Sequence, residues 1–556
     1  MAYSSTRIFR LVLFFLVLSS LLVMRLFYLQ VIQGQQLALE GLNIRVQGLP
    51  VEVARGEILD CNRLPLTNTT QQYSLVVFPG QVEHTPLQLW RKLNTIVSLP
   101  NEQLEYFLQG IHTSEYPFRL AKDISSDTAK KINDLNIPGI IAIAEKTRYG
   151  QGMLASHILG YINSADNKGV SGIEGMYDEL LRGNQPEYVA AIVDASQQII
   201  PGLGYKRLKL TASNNETNIV LTIDKQIQQK VENSMDRTIV KGAVVVMRPS
   251  TGEILAMASR PGFDANNLSR YLEQSSAPLL NRAISAYQPG SVFKLVVAAA
   301  ALENKTVKMN DVFFDSGYID VNSIRFQGWD YGEAPKGYLT ITEAMAHSSN
   351  PVFIEVALKL GAEKLIAMAA KFGYGSRTNL GFLGESEGNL PAADQLYPGD
   401  LANLAIGQGF CEATPVQVAQ TVATIVNDGL KVEPYIVSLL TTPDGAIVKK
   451  FQARPGMRVI SRQTAERLRN MMMAVTQYGT GQAAYVDVFG SAGKTGSAET
   501  GRTNTNGKGI NHAWFAGFTP FEHPKYVIVV FVEEGMSGSN VAAPIFRDIA
   551  TEILKN

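Results

Sequence analysis

The longest apolar run lies near the start of the chain: after Arg7 and Arg10, residues Leu11 to Leu29 read LVLFFLVLSSLLVMRLFYL. As a helix rising about 1.5 Å per residue, this stretch matches a hydrocarbon layer about 30 Å thick, so one membrane span is expected over 11–29. Arg25 lies near its far end, where a long side chain can snorkel to the interface beside Tyr28. The alternative is a cleaved signal peptide. Against it, no small-x-small cleavage site follows promptly and the run exceeds a usual signal core. The basic flank predicts that residues 1–10 form a cytoplasmic tail and that everything after the span is exported.

Beyond the span the pattern alternates between short strand-like runs, such as YSLVVF from Tyr73 to Phe78, and helical ones, such as TPLQLWRKLNTIVSL from Thr85 to Leu99. Residues 30–210 therefore read as an α+β domain. The segment TASNNETN, Thr211 to Asn218, is polar, turn-prone and without apolar period, which makes 211–218 a linker. A second domain then covers 219–556. It opens with two apolar runs around Pro249-Ser250-Thr251-Gly252, a hairpin pattern within 242–259. It closes with two adjoining buried strands, AWFAGFTP and KYVIVVFVEE, and a helix carrying Ile545, Ile549 and Ile553 at helical spacing. Strands at both ends with helices between predict an α/β sandwich whose antiparallel sheet joins the domain's two ends. The strand order stays open.

Composition excludes little. The 556 residues are 46% hydrophobic and 18% charged, with 50 basic and 50 acidic side chains, so no net charge marks a nucleic-acid or acidic partner. The two cysteines, Cys61 and Cys411, are too far apart in sequence to suggest a metal cluster or a redox pair, and both read as free thiols. Neither a metal nor a cofactor is expected.

Chemistry enters at YQPGSVFKLVVAAAALEN, Tyr287 to Asn304. Pro289-Gly290 would form a turn, Ser291 would fall at a helix start, and Lys294 three residues on would share its face. A lysine whose pKa is lowered by desolvation and neighbouring cations can take the proton of a serine, while the helix N-terminus favours negative charge on an attacked carbonyl. A capping serine followed by a solvated lysine fits the same four residues. Ser491 to Lys494 repeats the spacing, with a glycine inside and turn-like sequence after it. What gives the motif weight is order. Ser348-Ser349-Asn350 follows a short helical stretch, with Ser348 lying 57 positions after Ser291, and Lys494-Thr495-Gly496 begins 144 positions after Asn350.

In the order S-x-x-K, S-x-N, K-T-G the sequence resembles a serine acyltransferase of the penicillin-binding family. More narrowly it resembles a class B penicillin-binding protein, a monofunctional D,D-transpeptidase of bacterial cell-wall synthesis. Other stretches carry the same likeness: ARGEILDCNRLPL (Ala54 to Leu66), LASHILGYI, GVSGIEGMYDELLRG, LTIDKQIQ and AIGQGFCEATPVQVA. Cys61 and Arg63 depart from the family's opening motif, which has arginine and glycine there. The resemblance implies a pedestal domain over 30–210, resembling a dimerisation domain, and a transpeptidase domain over 219–556. It implies Ser291 as the acylated nucleophile, Lys294 as its base and Ser348 as a proton relay. Asn350, Lys494, Thr495, Gly496 and Ser497 would bind substrate, with the backbone N–H groups of Ser291 and Ser497 as oxyanion hole. The substrates implied are peptidoglycan stem peptides ending in D-Ala-D-Ala, with β-lactams as inhibitors. A polytopic membrane glycan polymerase is the implied partner, since no glycosyltransferase segment is visible in the first 210 residues.

Two further readings share these features. A serine β-lactamase would use the same nucleophile and lysine, but the class A water-activating E-x-x-L-N segment is absent, and a drug hydrolase needs neither pedestal nor span. A scaffold could keep the fold with weak chemistry. Elsewhere, His347 reads as a positioning or packing residue, Trp329 as either a cleft wall or a core residue, and Met471 to Met473 as helix and core.

Overall fold

The computed structural model describes residues 5–34, 37, 46–82, 85–114, 116–150, 152–163, 166–193, 205–209, 216–454, 456–503, 507 and 509–555. Helix α1, Ser5–Phe27, carries the first apolar run. Among the described residues it lies in the one segment, Arg7–Ile32, long and apolar enough to cross a membrane. Arg25 stacks its guanidinium 5.5 Å from the centre of the Tyr28 ring, near the expected interface.

The chain divides into two compact units that do not follow its order. The first comprises Met1–Arg55, Thr69–Arg148 and Arg182–Glu216. It holds two antiparallel three-stranded sheets. Strand β1 (Val46–Arg55) pairs with β5 (Arg182–Ile192), which pairs with β6 (Tyr205–Lys209). In the other sheet β2 (Thr70–Val77) is flanked by β3 (Phe118–Ile124) and β4 (Ile140–Thr147). Helices α2 (Pro86–Val97), α3 (Glu102–Thr113) and α4 (Ser126–Asp134) bury Leu89, Trp90, Phe107 and Ile132 against Leu75, Val77 and Leu120 of that sheet. Proline at the first turn of α2 and the Ser125 hydroxyl accepting from Thr128 N–H start two of these helices.

The second unit comprises Gly56–Asn68, Tyr149–Leu181 and Thr217–Asn556. Two excursions that sequence assigned to the pedestal thus belong to it. The reason is pairing and burial: Ile58 and Leu59 lie parallel to Ile219 and Val220, and Ile158, Ile173 and Leu181 are wholly buried in this unit's core. Of the expected linker 211–218, residues 211–215 lie outside the described residues, and Asn218 already opens a strand, Asn218–Leu221.

At its centre is a five-stranded sheet in which every pairing is antiparallel. Its strands are β7 (Gly242–Met247), β8 (Ile254–Arg260), β9 (Ala492–Thr503), β10 (Gly509–Thr519) and β11 (Tyr526–Val532), in the order β8-β7-β11-β10-β9. The expected hairpin is β7–β8 and the expected adjoining strands are β10–β11. Strand alternation sends Val244 and Val246 to one face and Ala243, Val245 and Met247 to the other. The first face is covered by α5 (Lys225–Thr238) and by the closing helix α11 (Ala543–Leu554), through Val231, Met235, Ile545, Ile549 and Ile553. The second faces the helical insertion: α6 (Lys294–Glu303), α7 (Ile341–Ala346), α8 (Asn350–Leu360), α9 (Pro415–Val426) and α10 (Arg462–Gln477). Burial of both faces explains why β7, β8 and β11 read as continuous, mostly apolar runs, whereas the edge strand β9, AGKTGSAETGRT, does not.

Candidate active site

Helix α6 is apolar on every side, and all residues from Lys294 to Leu302 are buried. Such a helix belongs at a domain centre. Its N-terminal lead-in is a 3₁₀ turn, Gly290–Phe293, opened by Gly290 at φ +55°. Ser291 sits on this turn, half-buried, one turn ahead of Lys294.

Lys294 has no solvent exposure, so its head group must be satisfied within the protein. Its Nζ donates to Ser348 O at 2.7 Å, to Asn350 Oδ1 at 2.7 Å and to Ser348 Oγ at 3.3 Å. The first and second motifs are therefore joined through one amine. Burial, and next the charge of Lys494, holds the Lys294 pKa well below that of an ordinary lysine, against the opposing pull of Asp315 and Asp330.

The S-x-N stretch is the corner between α7 and α8. A capping box between Thr340 and Glu343 starts α7, and the Ser349 side chain caps α8 by accepting from Val352 N–H. Between them Ser348 adopts φ +56°, a left-handed conformation that costs a non-glycine residue about 1–2 kcal/mol. This turns its hydroxyl toward the lysines. Asn350 donates from Nδ2 to Gln327 O at 2.9 Å, which leaves one amide N–H for a ligand.

The third motif lies on β9, the edge strand beside the Gly290–Phe293 turn. Lys494, also fully buried, donates to Ser348 Oγ at 2.8 Å and to Thr495 O at 3.1 Å, and burial pushes its pKa down to about 7. Thr495 Oγ1 is 2.7 Å from Thr480 Oγ1. Ser497 Oγ accepts from Gly538 N–H at 3.1 Å. Gly496 has a physical reason that its sequence does not reveal: a Cβ there would meet Pro289 O at 2.9 Å and Val292 Cγ2 at 3.0 Å. Its bare backbone admits the turn that carries Ser291.

The other S-x-x-K, by contrast, straddles the start of a strand. Ser491 is buried, donates to Ala484 O at 2.8 Å and accepts from Val486 N–H at 3.1 Å, which makes it a turn-stabilising hydroxyl. Trp329 is 64% exposed and donates from Nε1 to His347 O at 3.0 Å, so it flanks the second motif instead of packing in the core. Met471 and Met472 are core residues and Met473 packs against them. Cys61 and Cys411 are free, and burial followed by neighbouring carboxylates pushes both thiols up, Cys61 to about 11.

Two contacts were not visible from motifs. Gly407 accepts from Gly290 N–H at 3.0 Å, and a Cβ on it would lie 2.1 Å from Gly290 O. Its setting in GQG was the only sequence signal. Thr480 had none. A separate cavity of about 530 Å³, lined by residues such as Met176, Arg377 and Phe382, contains none of the motif residues. Among the described residues no group of acidic, histidine or cysteine side chains is arranged to hold a metal.

The three motifs meet at the Ser348 hydroxyl, which both buried lysines reach, with the Ser291 turn packed against Gly496 of the edge strand, an arrangement suited to a serine acyltransferase. Comparison with known proteins gives the family. Residues 242–551 match the penicillin binding protein transpeptidase domain, and residues 50–205 match the penicillin-binding protein dimerisation domain. The chain belongs to the class B penicillin-binding proteins, a family of D,D-transpeptidases. It is 32% identical over 546 residues to stage V sporulation protein D of Bacillus subtilis, covering 95% of this chain and 82% of that protein. It is 29% identical over 555 residues to the peptidoglycan D,D-transpeptidase FtsI of Buchnera aphidicola, covering 96% and 92%. Among solved structures, the D,D-transpeptidase domain of a peptidoglycan glycosyltransferase from Eggerthella lenta aligns with a TM-score of 0.61 at 30% identity, covering 74% of this chain and 93% of that one.

Proposed function

We propose that the protein carries out D,D-transpeptidation of peptidoglycan through Ser291. Ser291 Oγ attacks the penultimate D-alanine carbonyl of a stem peptide ending in D-Ala-D-Ala, and neutral Lys294 accepts its proton. The backbone N–H groups of Ser291 and Ser497 stabilise the oxyanion. Ser348, bonded to both lysines, relays a proton to the departing D-alanine amine. An amine from a neighbouring stem peptide then attacks the acyl-enzyme and forms the cross-link. Asn350 binds the peptide backbone of the donor, Lys494 supplies positive field, Thr495 holds the terminal carboxylate, and Gly496 lets the strand edge run beside the substrate. A β-lactam enters by the first step and remains attached.

The observation that carries this reading is Lys294: a wholly buried amine on the nucleophile's helix, bonded to both Ser348 and Asn350, with burial holding its pKa well below that of an ordinary lysine. The N-terminal helix serves as a single-pass anchor in the bacterial cytoplasmic membrane, with residues 1–10 in the cytoplasm and the catalytic unit outside. A polytopic glycan polymerase supplies the strands to be cross-linked. Glycan polymerisation by the purified chain alone would sink that last statement.

The decisive experiment is labelling by a penicillin followed by peptide mass mapping, with Ser291→Ala as control. A stable adduct on Ser291, absent from the variant, is expected. Drug hydrolysis without an adduct would mark a β-lactamase, and intact drug with folded, unlabelled protein would mark a scaffold.

A further inference from the structure

Thr480 stands where the second and third motifs meet, and it belongs to neither. It lies in the loop after α10. Its backbone N–H donates to the carbonyl of Ala346 at 2.9 Å, the last residue of α7 and two residues before Ser348. Its hydroxyl lies 2.7 Å from that of Thr495. Gly479 allows the loop to come this close, because a Cβ there would lie 2.2 Å from Ala346 O. One residue thus spans from the end of α7, just ahead of Ser348, to the strand that carries Lys494 and Thr495.

The direction of the hydroxyl bond follows from counting donors. A threonine hydroxyl has one proton and two acceptor sites. Lys494 Nζ, 3.5 Å from Thr495 Oγ1, can only donate to it when protonated. When Thr480 donates as well, both acceptor sites of Thr495 are filled and its proton is left for a ligand. In the reverse arrangement Thr495 would turn a lone pair toward an incoming anion. A carboxylate in the cleft therefore selects the chain from Thr480 O–H to Thr495 O–H to carboxylate, ending in a charge-assisted bond.

We propose that Thr480 is a positioning residue for recognition of the substrate's terminal carboxylate, holding the Thr495 hydroxyl as a donor. The proposal rests on the reading that Thr495 binds that carboxylate. Thr480 itself touches no reacting atom; it acts through Thr495.

The test compares second-order acylation rates of full-length protein in detergent with benzylpenicillin and with its methyl ester, which lacks the anionic carboxylate. In Thr480→Val the ratio of acid rate to ester rate falls about tenfold, the worth of one well-placed hydrogen bond, and Thr480→Ser restores it. Thr480→Ala keeps the backbone bond to Ala346 and needs less space, so it supplies the same readout if the valine variant does not fold. A purely structural role would slow both compounds alike and leave the ratio unmoved, which would overturn the proposal. Thr495→Val, measured in parallel, separates the two layers. If it leaves the ratio unchanged, the carboxylate reading of Thr495 fails. If it lowers the ratio while Thr480→Val and Thr480→Ala do not, only the role of Thr480 fails.

Discussion

The side chain of Lys494 meets that of Ser348 at 2.8 Å across 146 residues of sequence, and Lys294 reaches the same hydroxyl oxygen at 3.3 Å. Two fully buried amines that share one hydroxyl cannot both keep a full charge cheaply, because each raises the cost of charging the other. The shared oxygen therefore couples the lysine of the first motif to the lysine of the third.

That coupling predicts a pH profile. Acylation by a penicillin should rise with pH as Lys294 loses its proton. Lys494→Ala removes a cation that helps hold the Lys294 pKa down, so the acid limb of the profile should move to higher pH. The rate at neutral pH should fall by about 100-fold. Stopped-flow acylation between pH 5 and pH 9 measures both, and a limb that stays in place or moves down contradicts the coupling.

Stability should carry the same signature. The folded-state pKa of Lys494 is lowered from 10.5 to about 7, so between these values the unfolded chain holds a proton that the folded chain does not. Stability rises with pH wherever the unfolded state binds more protons, so this lysine weakens the fold most below pH 7 and the penalty is relieved toward pH 10.5. Lys494→Met should flatten the pH dependence of unfolding free energy in that window by up to about 1.4 kcal/mol per pH unit. Denaturant melts at several pH values test this, and parallel curves for the two proteins would refute it.

Gly407 backs the turn that carries Ser291 at a distance no side chain tolerates, and its φ of +71° favours glycine independently. Gly407→Ala should cost about 2 kcal/mol or more of stability. It should also slow acylation of the molecules that remain folded, because the displaced Gly290 carries Ser291 with it. Acylation rates normalised to the folded fraction decide the point; equal normalised rates would leave Gly407 a stability residue only.

Ser491 provides the opposite case. Ser491→Ala should leave penicillin acylation intact, since its hydroxyl bonds only Ala484 O and Val486 N–H. It should lower stability by about 1–3 kcal/mol by leaving those buried backbone groups unpaired. Thermal melts beside an acylation assay separate the two effects, and lost acylation in folded protein would show that the wrong serine had been dismissed.

Much of this architecture was legible because its signals are local. The span Leu11 to Leu29, the β7–β8 hairpin, the β10 and β11 runs and the periodicity of Ile545, Ile549 and Ile553 each need only neighbours in sequence to be read. The same holds for the three motifs, whose members lie within four residues of one another. The two S-x-x-K stretches, identical in spacing, show the limit. One runs from a 3₁₀ turn into a helix and the other leads into a strand, and that difference in backbone leaves Ser291 half-buried at a helix start and Ser491 buried with its hydroxyl bonded to backbone.

Sequence by itself determined the long apolar N-terminal helix, the presence of strands at both ends of the catalytic unit, and the three motifs in order, because apolar period and short-range spacing follow from the backbone geometry of single elements. Tertiary structure alone decided the strand order β8-β7-β11-β10-β9 and the inclusion of Gly56–Asn68 and Tyr149–Leu181 in the second unit. It alone brought Gly407 against Gly290 and Thr480 between Ala346 and Thr495. These contacts join residues far apart in the chain, and they arise from filling one core and pairing buried polar groups, conditions that no local pattern encodes.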